Sequence, residues 1–374
     1  MRFSPFRLER YFAQHEFSAR HLLCVSDCES ITVQELLDFC GADPQKLLSL
    51  RLGYTEAWGA PSLRRAIAEN CYTQMEKETI LVHAGAEEAI FTFAQATLEA
   101  GDHVIVQTPC YQSLFELPAS LGCTIDAWHC NPDHGWAPDT SALRGLIKSN
   151  TKAIIINTPH NPTGYNLPRS SFNEVIKLAD QFGLYLFCDE VYRGLEYNQT
   201  AKLPAACDVY PNAVSLGVTS KNMGLAGLRI GWAASQNREL LQRMSSVKDY
   251  TSICSSGPGE VLAEIAMGNA AKLNDRCRRI ISDNLLSLDR FMDEHSDILE
   301  WTRPTAGPIG VVELKHDLTA GELCDKALRT CGVLLAPGSM FSISEPCFRI
   351  GFGRSNFTRG LKIFSSFLDT CYGK

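Results

Sequence analysis

The sequence predicts an α/β fold, with a large domain built on a mainly parallel, doubly wound sheet and a smaller α/β domain. Apolar segments that suit buried strands alternate with helical segments from residue 79 to residue 234. Residues 153–156 and 184–188 are continuously apolar, which is typical of strands buried on both faces of a parallel sheet. A long helical segment at residues 273–295 then leads into a further α/β part. We therefore place the large domain at residues 36–274 and the small domain at residues 1–35 and 275–374.

Length and charge limit the possible functions. The 374 residues suffice for one large domain with a smaller companion. The net charge of −7 and the lack of a basic run argue against a nucleic-acid partner. No segment has the apolar length of a signal peptide or a membrane span, so we predict a cytoplasmic protein without a membrane partner. The fifteen cysteines are predicted to be reduced, and because Cys24 and Cys28 lack a second pair at zinc-site spacing, no metal site is expected.

The N-terminal part contains an arm and a loop. Residues 1–35 are predicted to form an irregular arm. A glycine-bounded loop follows within residues 51–64, and Pro61 suits the first turn of the next helix. Tyr54 and Trp58 in this loop suit either the core or a binding role. We expect both of them and the arm to contribute to a substrate pocket.

The first two strands end in residues suited to a ligand. The strand at residues 79–82 runs into a glycine turn and a helix that begins near Ala86 and Glu87, an arrangement that presents backbone N–H groups to an anion. The strand at residues 103–107 is followed by Tyr111, which suits either stacking on a planar ligand or filling the core.

The next two strands carry polar residues at their ends. Prolines in the loop after the strand at residues 152–157 hold Asn161 at the carboxyl edge of the sheet, where open α/β sheets bind ligands. Asp189 follows the apolar strand at residues 184–188 and requires a partner because its carboxylate is partly desolvated. A protonated pyridine nitrogen would be one partner, and the N–H groups of the following turn are the alternative.

Residues 220–232 contain a lysine in a distinctive setting. Lysine amines form Schiff bases with carbonyls, including the aldehyde of pyridoxal phosphate. The neighbouring Ser220 and the following Arg229 suit a phosphate group. Taken alone, Lys221 is better explained as a surface lysine before a buried strand at residues 228–234, and only the other segments reverse that preference.

The C-terminal part ends in strand and helix segments, with strands at residues 310–314, 333–335 and 347–352 and a final helix at 357–368. Arg349 lies in the last, apolar strand, where a permanently charged guanidinium needs an anion. We expect Arg349 to bind the α-carboxylate of a substrate, with Asn161 as a second donor. An internal salt bridge is the alternative.

Taken together, these segments resemble the class I/II aminotransferases of the aspartate aminotransferase superfamily, the fold-type I pyridoxal phosphate enzymes. The matching segments follow the family's order and are residues 54–59 with 63–64, 84–87, 109–111, 157–164, 189–192, 220–231 and 348–351. The most specific are Asn-Pro-Thr-Gly at 161–164 and Ser-Lys with Gly-Leu-Arg at 220–229.

The resemblance implies pyridoxal 5'-phosphate as the cofactor and assigns roles around its ring. Lys221 would form the Schiff base and move the substrate's α-proton, and Asp189 would keep the pyridine nitrogen protonated. Asn161 and Tyr192 would donate hydrogen bonds to the phenolic oxygen, and Tyr111 would stack on the ring.

The resemblance also implies a phosphate site and a homodimer. Arg229, Ser220 and the backbone at Ala86 and Glu87 would hold the phosphate, and Tyr54 would reach the phosphate of the partner subunit's cofactor. The chain departs from many relatives at Val218, where they carry a second serine. Either the phosphate has one hydroxyl fewer, or Thr219 replaces that serine.

The implied activity is transfer of an amino group between an L-amino acid and a 2-oxo acid. β-Elimination at a C–S bond, cyclisation of an amino acid and decarboxylation are the alternatives, because the same cofactor chemistry serves them all. A ligand-sensing module attached to a DNA-binding domain is disfavoured, because residues 1–35 leave no room for that domain.

Overall fold

The structure, a computed structural model, describes residues 3–316, 318–344 and 346–373. The helices are α1 (Arg7–His15), α2 (Val33–Cys40), α3 (Gln45–Leu48), α4 (Pro61–Cys71), α5 (Ala86–Thr97), α6 (Gln112–Ser120), α7 (Thr140–Leu146), α8 (Arg169–Phe182), α9 (Ala206–Val209), α10 (Thr219–Asn222), α11 (Arg238–Lys248), α12 (Gly257–Met267), α13 (Ala270–Glu294), α14 (Ala320–Cys331) and α15 (Phe357–Tyr372). The strands are β1 (His21–Leu22), β2 (Ile80–His83), β3 (His103–Thr108), β4 (Thr124–Asn131), β5 (Ala137–Pro138), β6 (Thr151–Asn157), β7 (Tyr185–Asp189), β8 (Ala213–Val218), β9 (Gly231–Ala234), β10 (Leu299–Trp301), β11 (Ile309–Leu314), β12 (Val333–Leu334), β13 (Ala336–Pro337) and β14 (Cys347–Gly351).

An eight-stranded sheet with the strand order β2-β9-β8-β7-β6-β3-β4-β5 dominates the fold. The strands from β8 to β4 pair in parallel, β9 runs antiparallel to both of its neighbours, and β5 is antiparallel to β4. The predicted α/β class with a mainly parallel sheet is therefore confirmed.

The sheet is buried on both faces because its central strands are apolar throughout. Side chains of a strand alternate between faces. Ile155 and Phe187 accordingly join the core on one side of the sheet, while Ile154, Ile156 and Leu186 join the core on the other.

A second, antiparallel sheet with the order β10-β11-β14-β13 occupies the C-terminal part. The N-terminal segment packs against it, because β1 pairs in parallel with β12 and the N–H of Gly351 donates to the carbonyl of Leu23 at 2.8 Å. The division of the chain at residues 36 and 274 stays a prediction.

The prediction of an irregular arm over residues 1–35 is wrong, because the segment contains α1 and β1. Helix α1 connects distant parts of the chain. The N–H of Arg7 donates to Oε1 of Gln112 at 3.0 Å, and the hydroxyl of Tyr11 donates to the carbonyl of Leu335 at 3.0 Å. These contacts give the helix its tertiary support. Within the described ranges, no helix combines the length and apolar character that crossing a membrane requires.

Candidate active site

A cavity of about 420 Å³ lies at the carboxyl edge of the large sheet. Nine of the predicted site residues line it, namely Ala86, Glu87, Tyr111, Asn161, Asp189, Tyr192, Ser220, Lys221 and Arg229. Parallel strands place their carboxyl ends at one edge, so residues that follow different strands come together there. Two predicted site residues, Tyr54 and Arg349, are not part of the lining.

Lys221 lies in the short helix α10, directly after the central strand β8. Its side chain is half-buried and reaches the N-terminal segment, where Nζ donates a 2.9 Å hydrogen bond to the hydroxyl of Ser26. The lysine therefore lines the cavity rather than the protein surface, in contrast to the alternative of a surface loop.

Asp189 ends strand β7 and is 5% exposed. Its Oδ1 accepts a 3.2 Å hydrogen bond from the N–H of Val191, so the carboxylate both caps the following turn and lines the cavity. Burial raises the pKa of Asp189 to about 7, although the Val191 N–H and the charge of Lys221 act in the opposite direction. The single hydrogen bond from the turn thus does not offset the cost of burying the ionised carboxylate. A cation beside Asp189 would stabilise this ionised form.

Asn161 and Tyr192 bring polar groups to the same wall. The N–H of Asn161 donates to Oδ1 of Asn157 at 2.6 Å, which fixes the loop that follows β6. Tyr192 is 1% exposed, and its hydroxyl has no hydrogen-bond partner among the described residues. A buried hydroxyl without a partner costs free energy, so a ligand atom that accepts from it would be favoured.

One end of the cavity suits an anion. Helix α5 begins at Ala86 without a side-chain cap, so its first N–H groups are available. The hydroxyl of Ser220 is buried and has no partner among the described residues. Gly85 allows the guanidinium of Arg229 to approach, because a Cβ at Gly85 would lie 2.5 Å from Nη2 of that arginine. These groups together could hold a phosphate.

The two residues before Ser220 point to different environments. The hydroxyl of Thr219 is buried and donates to the carbonyl of Ile230 at 3.1 Å, whereas Val218 lines the cavity. The idea that Thr219 replaces the second serine of many relatives is therefore wrong. The anion end has an apolar side chain where that serine would stand.

Arg349 lies in β14 and is fully buried. Its Nη1 donates to Oδ1 of Asn161 at 2.9 Å, and its Nη2 donates to the carbonyl of Cys24 at 2.6 Å. Among the described residues Arg349 makes no ion pair, and its Nε has no partner. The internal salt bridge is therefore ruled out for the described part of the chain, and Oδ1 of Asn161 accepts from the guanidinium where we expected the asparagine to act as a second donor.

Tyr54 and Trp58 lie outside the cavity of their own chain. Tyr54 is 93% exposed, so it is not a core residue, and Trp58 is half-buried against the core. The prediction that these two side chains line the substrate pocket is not met within one chain.

Seven residues of the N-terminal arm line the cavity and were not predicted individually, namely Leu8, Glu9, Phe12, Glu16, Val25, Ser26 and Asp27. A signal was present, because Leu8, Phe12 and Glu16 recur every four residues and so share one face of a helix. The same contacts meet the more general expectation that the arm contributes to the pocket.

Pyridoxal phosphate fits these residues. A buried carboxylate suits a protonated ring nitrogen, an unpartnered tyrosine hydroxyl suits the phenolic oxygen, and the N-terminus of α5 with Arg229 suits the phosphate. Among the described residues, no group of three His, Cys, Asp or Glu side chains is placed to hold a metal ion.

Comparison with known proteins agrees with this fit. Residues 32–359 match the family described as Aminotransferase class I and II. A PLP-dependent aminotransferase from Streptococcus suis is 31% identical, superposes with a TM-score of 0.94 and covers 100% of both chains. A structure of a PLP-dependent cyclase is 28% identical with a TM-score of 0.92, covering 99% of this chain and 98% of the other. Capreomycidine synthase of Streptomyces vinaceus is 27% identical over 97% of this chain and 93% of its own length.

Proposed function

Because this chain belongs to the aminotransferase class I and II family, we propose that it transfers an amino group between an L-amino acid and a 2-oxo acid. Its cofactor is pyridoxal 5'-phosphate. The observation that carries the proposal is the convergence of Lys221, Asp189, Tyr192 and Arg229 on one cavity.

Lys221 and Asp189 perform the central tasks. When bound, pyridoxal phosphate accepts the electrons that remain when a bond to the substrate's α-carbon breaks. Lys221 would supply the amine that holds the cofactor aldehyde, and its Nζ would be the base that moves the substrate's α-proton. Asp189 would keep the ring nitrogen protonated, and that cation would in turn lower the pKa of Asp189, which burial raises in the structure.

The remaining residues orient the cofactor. The hydroxyl of Tyr192 and the amide of Asn161 would donate to the phenolic oxygen of the bound cofactor, and Tyr111 would pack on its ring. Arg229, Ser220 and the first N–H groups of α5 hold the phosphate. The burial of Tyr192 and Ser220 without partners supports these roles, because each hydroxyl gains a hydrogen bond on binding.

Arg349 binds the α-carboxylate of the substrate. The buried guanidinium makes no ion pair with a described residue, and binding an anion would satisfy both its charge and its free Nε. A carboxylate held by Arg349 fixes the orientation of the α-hydrogen relative to Lys221.

The active form is a homodimer in which Tyr54 donates to the phosphate bound by the partner subunit. The exposed side chains of Tyr54, Leu52 and Leu48 support this arrangement, because a surface of large apolar groups favours an interface.

A second candidate is cyclisation of an amino acid on the same site. It is favoured by the cyclase and the synthase that align over nearly the whole chain at 28% and 27% identity. The two reactions share the early proton transfer by Lys221 and differ in the fate of the amino group.

A panel of amino acids and 2-oxo acids separates the candidates. Transamination predicts a new 2-oxo acid and a new amino acid in equal amounts, whereas cyclisation predicts a cyclic amino acid without consumption of the 2-oxo acid. Borohydride should fix the cofactor on Lys221, and Lys221→Ala should lose turnover. Labelling of another lysine would contradict the assignment.

A further inference from the structure

Carboxylates dominate the charge of the cavity wall. Two cationic side chains, Lys221 and Arg229, face five acidic ones, which are Glu9, Glu16, Asp27, Glu87 and Asp189. In the function proposed above, the two cations and Asp189 interact with the cofactor. The cofactor therefore offers no cationic group that would bind the other four carboxylates. Three of these four lie in the N-terminal arm.

Three of the four already have partners. Asp27 accepts from Nη2 of Arg354 at 2.9 and 3.0 Å, Glu9 accepts from the hydroxyl of Tyr111 at 3.0 Å, and Glu87 accepts from the hydroxyl of Ser113. The carboxylate of Glu16 makes no hydrogen bond or ion pair with any described residue.

Glu16 is half-buried in a negative environment. Its pKa is raised, first by burial and then by the negative charges of Asp27 and Glu9, while Arg354 and Lys221 act in the opposite direction. An ionised carboxylate in this position is destabilised unless a cation binds beside it. The partnerless Nε of the fully buried Arg349, whose Nη1 donates to Asn161 in the same lining, is independent evidence that this cavity receives a charged substrate and not the cofactor alone.

Apolar residues of the arm line the same cavity as its carboxylates. Leu8 and Phe12 are both in the lining with Glu9 and Glu16, and the four-residue spacing places them on the helical face that carries Glu16. A side chain with a methylene stem and a cationic end matches this combination, because the stem packs on apolar surface while the charge reaches a carboxylate.

We propose that the substrate is an amino acid with a long cationic side chain, whose terminal charge is bound by Glu16 with Glu9 beside it and whose stem packs on Leu8 and Phe12. The proposal takes from the proposed function only that the substrate is an amino acid. Carboxylates bind a guanidinium through two parallel hydrogen bonds, so an arginine-like end group is the strongest match.

Arginine and citrulline provide the test, because they have nearly the same shape and differ in the charge of the end group. Binding is measured by calorimetry on the borohydride-reduced holoenzyme, which retains the cofactor and does not turn over. We expect arginine to bind more tightly than citrulline by about tenfold or more, as expected for a charged hydrogen-bonded pair. Lysine should bind more tightly than norleucine for the same reason.

Glu16→Gln removes the charge with little change in shape. It should lower the dissociation constant of citrulline divided by that of arginine by about tenfold, so that the preference for arginine is lost. Glu9→Gln should reduce the ratio less, because Glu9 is already bound to Tyr111. Glu69→Gln removes an exposed charge on α4, outside the cavity lining, and should leave the ratio unchanged.

Equal affinity for arginine and citrulline, no detectable binding of arginine, or an unchanged ratio in Glu16→Gln would overturn the inference. These three results can be told apart from a failure of the proposed function. A preference for arginine without formation of a 2-oxo acid would leave the inference intact and contradict transamination. Transamination of citrulline and arginine with equal efficiency would contradict the inference and leave the proposed transamination intact.

Discussion

Nη1 of Arg349 donates a 2.9 Å hydrogen bond to Oδ1 of Asn161, which connects the C-terminal antiparallel sheet to the loop after β6. The two residues are 188 positions apart in the chain. The bond holds the guanidinium beside the cavity without neutralising its charge, so Arg349 keeps its capacity to bind an anion.

Arg349→Lys should raise KM for every amino acid tested, by about 100-fold, because lysine keeps the charge and loses the bidentate geometry. The absorption spectrum of the bound cofactor should not change. Steady-state kinetics across several amino acids measures the effect. Arg303→Lys, which alters an arginine paired with Asp289 at the surface, is the matched control and should leave KM unchanged. A normal KM together with a collapsed melting temperature would assign Arg349 to stability alone.

Asp189→Asn should change how the stability of the cofactor-free protein depends on pH. The pKa of Asp189 is raised from 3.8 to about 7, so the folded state holds a proton that the unfolded state releases. Stability from this group is therefore present below pH 4 and is lost as the pH rises towards about 7. From pH 5 to pH 8 the variant should gain stability relative to wild type by about 2 kcal/mol.

Urea unfolding of the cofactor-free proteins at the two pH values measures this gain. Glu69→Gln, which changes an exposed carboxylate, should show no such gain. Parallel pH profiles for Asp189→Asn and wild type would show that Asp189 titrates normally.

Val218→Ser should increase the affinity for pyridoxal phosphate by about tenfold, because the new hydroxyl adds a hydrogen bond to a charged group. Val218→Ala is the matched control, since it removes the same methyl groups without adding a hydroxyl. Spectrophotometric titration of the cofactor-free proteins gives the dissociation constants. Serine and alanine variants of equal affinity would place the phosphate away from Val218.

Tyr54→Phe should leave the stability of the isolated chain unchanged, because the side chain is 93% exposed, and should weaken cofactor binding by about tenfold. Mixed dimers test the role across the interface. Refolding Tyr54→Phe together with Lys221→Ala creates one site with both intact residues, so activity at limiting cofactor should recover. No recovery would place Tyr54 in the site of its own chain.

The large sheet and its strand ends were predictable because they depend on local patterns. A continuous apolar run such as that of β6 or β7 fixes burial on both faces, and parallel pairing then gathers the residues that follow each strand. One cavity is therefore lined by Asp189, Asn161 and Lys221, as their positions at the ends of different strands indicated.

The arm and the anion end were less predictable because they depend on distant contacts. Helix α1 spans only nine residues, and its support comes from partners such as Gln112 and Leu335, far away in the sequence. Whether Val218 or Thr219 faces the cavity depends on where β8 gives way to α10, a boundary that sequence patterns locate only to within a few residues.

The pairing of β1 with β12 has a consequence for biosynthesis. Residues 21 and 22 leave the ribosome more than 300 residues before their partners, Val333 and Leu334. Until then the first helix lacks its contact with Leu335 and β1 lacks its partner strand, so the cavity wall that carries Glu9 and Glu16 is not yet fixed. The large sheet can form during translation, whereas the amino-acid pocket is completed only near the end of synthesis. We therefore expect nascent chains arrested before residue 333 to contain the folded sheet and to lack amino-acid binding.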